Sequence, residues 1–158
     1  MQDMVQTEKR AGGALRLFIV GVLTIAAAVV ADLVVRALAF AIWPISLAFL
    51  PLQVGSVSVF AAVLVGGGVL VYVLVVRFSK QPARTYTMIA LIALLLSLVP
   101  PIMFFFNPDA FTRLLPGVTP LAASILMVLH IIDTSIAIVL LTRLAPSKGR
   151  AAHIRDTI

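Results

Sequence analysis

Four ionisable residues lie inside long apolar stretches of the sequence, where charged side chains are rare. Asp32 and Arg36 are four residues apart in the run VVADLVVRALAF, and His130 and Asp133 are three apart in LHIIDTSIA. These spacings place the members of each pair on one face of a helix. Carboxylates beside an imidazole could exchange protons, hold a cation or belong to a buried ion-pair network.

The elements that must position these residues are membrane-spanning helices. The chain has 158 residues, of which 62% are hydrophobic and 11% charged, and its mean hydropathy is +1.17. Soluble domains are about 25% charged, so this composition is typical of membrane proteins. Four apolar runs, at about 15–43, 54–76, 85–106 and 121–144, are each long enough to cross a hydrocarbon core about 30 Å thick. We therefore predict an all-α polytopic membrane protein with four transmembrane helices in an up-down bundle.

The basic residues are unevenly distributed and predict the orientation of this bundle. Of the twelve, Arg36 lies within a span, Arg113 lies in the third connection, and the other ten lie on the side of the two termini. By the positive-inside rule, both termini are cytoplasmic. The basic residues that give the net charge of +6 therefore determine the topology and make weak contacts with anionic lipids. We expect these ten basic residues to contact the lipid bilayer and not nucleic acid. They are Lys9, Arg10, Arg16, Arg77, Lys80, Arg84, Arg143, Lys148, Arg150 and Arg155.

The chain divides into a polar cytoplasmic lead-in at 1–13, a transmembrane domain at 14–145 and a basic cytoplasmic tail at 146–158. The sequence VVA at 29–31 resembles a signal-peptidase site, but the apolar run before it is long for a signal peptide. We therefore expect an uncleaved first span. Pro100 and Pro101 are expected to kink or stop the third span. The apolar connection WPISLAFLPLQVGS predicts a tight turn or a re-entrant segment.

The four ionisable residues occupy one depth in the predicted bundle. Counted from the span ends at Pro44 and Pro120, Arg36 is eight residues deep, Asp32 twelve, and His130 ten. Asp133 is thirteen deep, so all four lie near the midplane. A charge facing lipid costs several kcal/mol, and we therefore expect the four side chains to point inward and pair as a buried polar cluster.

Several hypotheses explain such a cluster. The preferred one is structural, with a buried ion-pair network that fixes helix register. The alternative is a site that handles protons or ions. A metal site of His130, Asp133 and Asp32 is a weaker hypothesis, because H-x-x-D alone is unspecific and Arg36 would repel a cation. Haem is disfavoured because His153, the other histidine, falls in the tail. We predict neither a metal nor another cofactor.

Enzymatic chemistry is the weakest class of function for this sequence. The chain has no cysteine, which excludes thiol-based redox chemistry and Cys-ligated metals. It contains neither a Gly-x-Ser-x-Gly elbow nor a phosphate-binding loop. The triplet Asp133-Thr134-Ser135 resembles an aspartic protease motif, but that motif requires a strand and a loop. We predict no catalytic residue.

Small residues follow single faces of the predicted helices. One such row contains Ser58, Ala62 and Gly66, and membrane helices associate through close approach of such rows. This row is a plausible homodimer face, and an unidentified protein partner is a further possibility. A second row, interpreted as a packing surface, comprises Tyr86, Ala90, Ala93 and Ser97.

Three segments carry a family resemblance: LPLQVGSVSV, PARTYTMIALIALLLSLVPP and LAASILMVLHIIDTSIAIVLLTRL. They resemble an uncharacterised family of small bacterial four-helix integral membrane proteins, a domain of unknown function. The resemblance implies a multi-pass protein of the inner (plasma) membrane and implies no activity. It draws attention to Ser97, Pro100, Pro101 and His130 as positions without assigning them roles.

The sequence therefore predicts a non-enzymatic small integral membrane protein whose specific role is unknown. Its buried cluster is interpreted as structural. The alternatives are a proton- or ion-coupled transporter or channel that uses the cluster, and an assembly or accessory subunit of a membrane complex.

Overall fold

Helices make up almost all of the chain that the structure, a computed structural model, describes. It describes residues 2–145, with side chains from Gly12 onward. The predicted tail at 146–158, including His153, lies outside the described residues. Between residues 2 and 145 there is no strand. The elements are α1 (Gln2–Ile42), a short 3-10 helix (Leu50–Leu52), α2 (Val54–Phe78), α3 (Pro82–Phe106), α4 (Pro108–Leu114) and α5 (Pro120–Leu144).

Four of these helices are long and apolar enough to cross a membrane. They are Gly12–Ile42 within α1, and the whole of α2, α3 and α5. Their outward faces expose large apolar side chains such as Phe18, Phe60 and Leu95, which suit contact with lipid. The prediction of an all-α protein with four transmembrane helices is confirmed, and the chain is a membrane protein.

Two details of the helices add to the sequence-based expectation. The helix α1 begins at Gln2, so the backbone of the polar lead-in continues the first helix. The third span does not stop at Pro100 and Pro101, because α3 continues through both prolines to Phe106. Each proline removes one backbone hydrogen bond, and transmembrane helices tolerate this loss where local side chains and backbone adjust.

Proline and capping residues explain where the later helices begin. Pro82, Pro108 and Pro120 each occupy the first turn of their helix, where no backbone N–H donor is needed. The Thr119 hydroxyl accepts a hydrogen bond of 3.1 Å from the amide of Ala122 and so caps α5. Pro108 and Pro120 therefore mark the starts of the two helices that follow α3.

The connections at residues 43–53 and 107–119 lie at one end of the bundle, here called the loop end, and pack against each other. Gly117 has a φ of +80°, which favours glycine, and a Cβ there would lie 3.0 Å from the backbone nitrogen of Phe49. Phe49 and Leu52 are buried in the core. The apolar connection predicted as a turn or re-entrant segment therefore closes the loop end of the bundle.

The four long helices make unequal contacts with one another. The most extensive contacts join α1 to α2, α1 to α5, and α3 to α5, whereas α2 meets α3 and α5 much less. The α1–α2 contact is close, because a Cβ on Gly21 would lie 2.8 Å from Cγ1 of Val69. A Cβ on Gly66 would lie 3.7 Å from Cδ1 of Ile25, so this glycine faces α1. Homodimerisation through the Gly66 row stays a prediction.

Two apolar core clusters lie at different levels of the bundle. The loop-end cluster comprises Ala39, Phe49, Leu52, Val57, Ala122, Ile125 and Leu129. The other, at the end that carries the α2–α3 connection, comprises Val20, Ala28, Val65, Tyr72, Val75, Tyr86, Ala137, Leu141 and Ala145. Asp32 falls between Ala28 and Ala39 along α1, and Asp133 falls between Leu129 and Ala137 along α5. A polar layer therefore separates the two clusters at mid-bundle.

Candidate polar site

Asp32 and Asp133 are the buried acidic residues of this polar layer. Asp32 is 3% exposed and Asp133 is 7% exposed. On each residue the Oδ1 atom is buried and accepts no hydrogen bond from any group in the described part of the chain. The two carboxyl groups are close enough for their charges to repel each other. Both groups therefore have an unmet requirement for a proton or a cation.

Arg36 does not neutralise these carboxyl groups. Its Nε donates a hydrogen bond of 2.6 Å to the carbonyl oxygen of Leu52, and its guanidinium carbon lies 4.3 Å from the centre of the Phe40 ring. Within residues 12–145 the structure shows no ion pair between Arg36 and either aspartate. The arrangement thus differs from the expected ion-pair network, in which Arg36 would pair with Asp32.

The long arginine side chain explains the difference. Arg36 is one turn closer to the loop end than Asp32, and its guanidinium reaches the non-helical connection there, where Leu52 presents a carbonyl oxygen. Long basic side chains in membrane helices direct their charged groups away from the midplane in this way. The shorter aspartate side chains stay at the depth of their own helix positions.

A cavity of about 330 Å³ lies beside the two aspartates, and His130 also lines it. His130 is half-buried. The cavity therefore brings together three of the four candidate residues, from α1 and α5. Its remaining lining is one hydroxyl, from Ser97, and seven apolar residues: Pro51, Val57, Phe60, Ala61, Leu64, Leu126 and Leu129.

A second cavity, of about 280 Å³, adjoins the first and extends between α2, α3 and α5. The two share Leu64, Ser97, His130 and Asp133 in their linings. This second cavity is lined by Tyr86, Ala90, Ala93 and Ser97, the row predicted as a packing surface.

Tyr86 marks the far end of the second cavity. Its ring packs edge-on against Tyr72, with 5.1 Å between ring centres. A Cβ on Gly68 would lie 3.1 Å from the Tyr86 hydroxyl oxygen, so the hydroxyl sits directly against α2. The small residues of α2 leave space for this aromatic pair, and the pair holds α2 and α3 together below the cavity.

The second cavity opens between α2 and α3, because its exposed lining residues belong to these two helices: Leu64, Gly67, Ile89 and Ala93. The exposed lining residues of the first cavity are Phe60 and Leu64, both on α2. By contrast, the lining residues from α5 are buried or half-buried. Because α2 and α3 cross the membrane, this opening faces the lipid.

The family resemblance drew attention to three further positions, which have different surroundings. Ser97 lines both cavities, and its hydroxyl donates a 2.8 Å hydrogen bond to the carbonyl of Leu94. Pro101 is buried, whereas Pro100 is exposed, and neither lines the two cavities. Sequence patterns did not identify Phe60, because an apolar residue at the mouth of a cavity looks like any lipid-facing residue.

The metal hypothesis finds no geometric support in the described residues. No three His, Cys, Asp or Glu side chains among them are grouped so that they could hold a metal ion. The set of His130, Asp133 and Asp32 lines a common cavity without forming such a group. What the arrangement offers is two carboxyl groups, an imidazole and a hydroxyl around an otherwise apolar space.

Comparison with known proteins identifies the family of the chain, and the function of that family is unknown. No curated protein and no solved structure matches it. A family model described as a family of unknown function, DUF6069, matches residues 13–147, which include all four membrane-spanning helices and the polar layer. The chain therefore belongs to the DUF6069 family of unknown function.

Proposed function

We propose that the protein is a non-enzymatic membrane protein that binds protons or small cations at Asp32, Asp133 and His130 and moves them across the bilayer. One observation supports this proposal above the others. Two buried carboxyl groups, each with an unpartnered oxygen, line the same mid-bundle cavity as a histidine.

The structural alternative has less support, because it requires a neutralising partner. A buried network stabilises a register only when its charges pair and its hydrogen bonds are satisfied. Arg36 is instead bonded to Leu52, and the oxygens of Asp32 and Asp133 are unsatisfied. Uncompensated carboxyl groups within a membrane are destabilising, and ionisable residues of this kind mark ion and proton pathways.

The groups around the first cavity favour a positively charged ligand. Its acidic groups come from α1 and α5, α3 contributes the Ser97 hydroxyl, and α2 contributes apolar side chains alone. No basic side chain of the described residues lines it besides His130. His130 borders both cavities and can accept a proton from one side and donate it to the other.

Flux through reconstituted liposomes tests the proposal. Purified protein would be placed in liposomes that enclose a pH-sensitive dye, and a potassium diffusion potential would be imposed with valinomycin. We expect faster proton entry than in protein-free liposomes, and a rate at the protein-free level for Asp32→Asn, Asp133→Asn and His130→Phe. Asp109→Asn, the same change at an exposed carboxyl group on α4, is the matched control and should behave as the wild type.

The same liposome assay also gives the results that would contradict the proposal. Parallel assays with Na⁺ and K⁺ would show whether another small cation is carried. Wild-type protein that moves none of the three faster than protein-free liposomes would refute the proposed function. Undiminished flux in the double variant Asp32→Asn/Asp133→Asn would refute the assigned site.

A further inference from the structure

The cavity beside Asp32 has an apolar body and an acidic wall. Seven of its eleven lining residues are apolar, and the two aspartates form the acidic side. Its volume of about 330 Å³ lies within the range of roughly 300–1,000 Å³ found for small-molecule sites. Such a space is larger than a proton or a bare inorganic cation needs.

We infer that the natural ligand is a lipophilic organic cation, which enters from the bilayer between α2 and α3 and is held by Asp32 and Asp133. This inference rests on the proposed function, because it assigns to the same two carboxyl groups a second, larger cationic ligand besides protons. The carboxyl groups of Asp32 and Asp133 supply the charge complement, and the apolar lining supplies the complement to a hydrocarbon or aromatic body.

The route of entry follows from the helix contacts. The α2–α3 side of the bundle is the weakly packed one, and the exposed residues of the cavity linings lie there. A molecule that reaches this opening must first dissolve in the hydrocarbon core. This route therefore favours ligands with a large apolar part. Phe60, exposed at the opening, presents an aromatic ring of the kind that attracts organic cations.

The depth of the site favours a lipophilic cation over the amine of a phospholipid headgroup as the ligand. Asp32 and Asp133 lie between the two core clusters at mid-bundle. A phospholipid headgroup would have to bring its phosphate into the hydrocarbon core to place its amine there, and burying that charge is costly. A cation whose charge is shielded by apolar groups reaches the same depth without a second charge.

Equilibrium binding of tetraphenylphosphonium tests the inference on the full chain in lipid nanodiscs, with empty nanodiscs subtracted. We expect saturable binding that weakens by at least ~30-fold in Asp32→Asn and in Asp133→Asn, because each removes a buried charge that faces the ligand. Asp109→Asn should bind as the wild type does. Triphenylphosphine oxide, a neutral molecule of similar shape, should not compete.

The possible results separate this inference from the proposed function. Proton flux that depends on Asp32 and Asp133, with no saturable tetraphenylphosphonium binding, overturns the inference and leaves the proposed function standing. Binding that is equal in wild type and in the double variant, or that the neutral molecule displaces, also overturns the inference. Wild-type protein that shows neither flux nor saturable binding overturns the inference together with the proposed function on which it rests.

Discussion

The Nε atom of Arg36 donates a 2.6 Å hydrogen bond to the carbonyl oxygen of Leu52. This bond joins the C-terminal part of α1 to the short 3-10 helix of the loop end, and the Phe40 ring packs against the same guanidinium. Because Leu52 is fully buried, the bond satisfies an acceptor that water cannot reach. It also directs the guanidinium of Arg36 away from Asp32, which lies one helical turn away.

Replacing Arg36 should therefore destabilise the loop end. Arg36→Leu removes a charge-assisted hydrogen bond and a cation–π contact, and we expect the free energy of unfolding to fall by about 2 kcal/mol. The measurement is thermal unfolding in detergent, followed by circular dichroism. Arg113→Leu, at an exposed position of α4, is the matched control and should leave the midpoint within error. An equal loss in both variants would contradict a specific role for the Arg36–Leu52 bond.

Double-mutant cycles should distinguish the true neighbours of Asp32. Asp32→Asn and Asp133→Asn should each raise the melting temperature, because each removes a buried charge and its repulsion of the other carboxyl group. The double variant should gain less than the two single gains together, with an interaction free energy of about 0.5–3 kcal/mol. The combination of Asp32→Asn with Arg36→Leu should be additive, because these side chains do not pair. Coupling in the second cycle and additivity in the first would show that the aspartates do not face each other.

Which parts of this site were predictable depends on the kind of interaction involved. The depth count grouped Asp32, His130 and Asp133 because burial cost and helical rise depend only on sequence position, and in the structure these three line one cavity. The partner of Arg36 was not predictable in the same way. Leu52 contributes a backbone carbonyl in an irregular connection, and no side-chain pattern marks such an acceptor.

The four spans were predictable because length and apolar composition alone define them. The helix that each row of small residues contacts was not predictable from the sequence. A four-residue spacing identifies the face that carries Gly66, but only the assembled bundle shows that this face meets Ile25 of α1. Likewise, the row from Tyr86 to Ser97 was identified, whereas the cavity beside it depends on how loosely α2 meets α3.

Membrane orientation is a further prediction, which comes from the uneven distribution of basic residues. We propose that the protein lies in the inner (plasma) membrane with both termini in the cytoplasm. A reporter inserted after Lys80, in the α2–α3 connection, should be active on the cytoplasmic side. A reporter inserted after Asp109, in α4, should be active on the opposite side. The reverse result at either site would contradict the proposed orientation.

The contact between Gly21 and Val69 predicts how tightly α1 and α2 are packed. Gly21→Ala places a methyl group 2.8 Å from Cγ1 of Val69, and we expect a loss of about 1–3 kcal/mol in the free energy of unfolding. Gly67→Ala is the matched control, because no atom lies within 4 Å of its new methyl group and alanine favours the helix. Adding Val69→Ala to Gly21→Ala removes the colliding methyl groups. The double variant should therefore lose less free energy of unfolding than the two single variants lose together. A loss equal to that sum would mean that the two helices meet elsewhere.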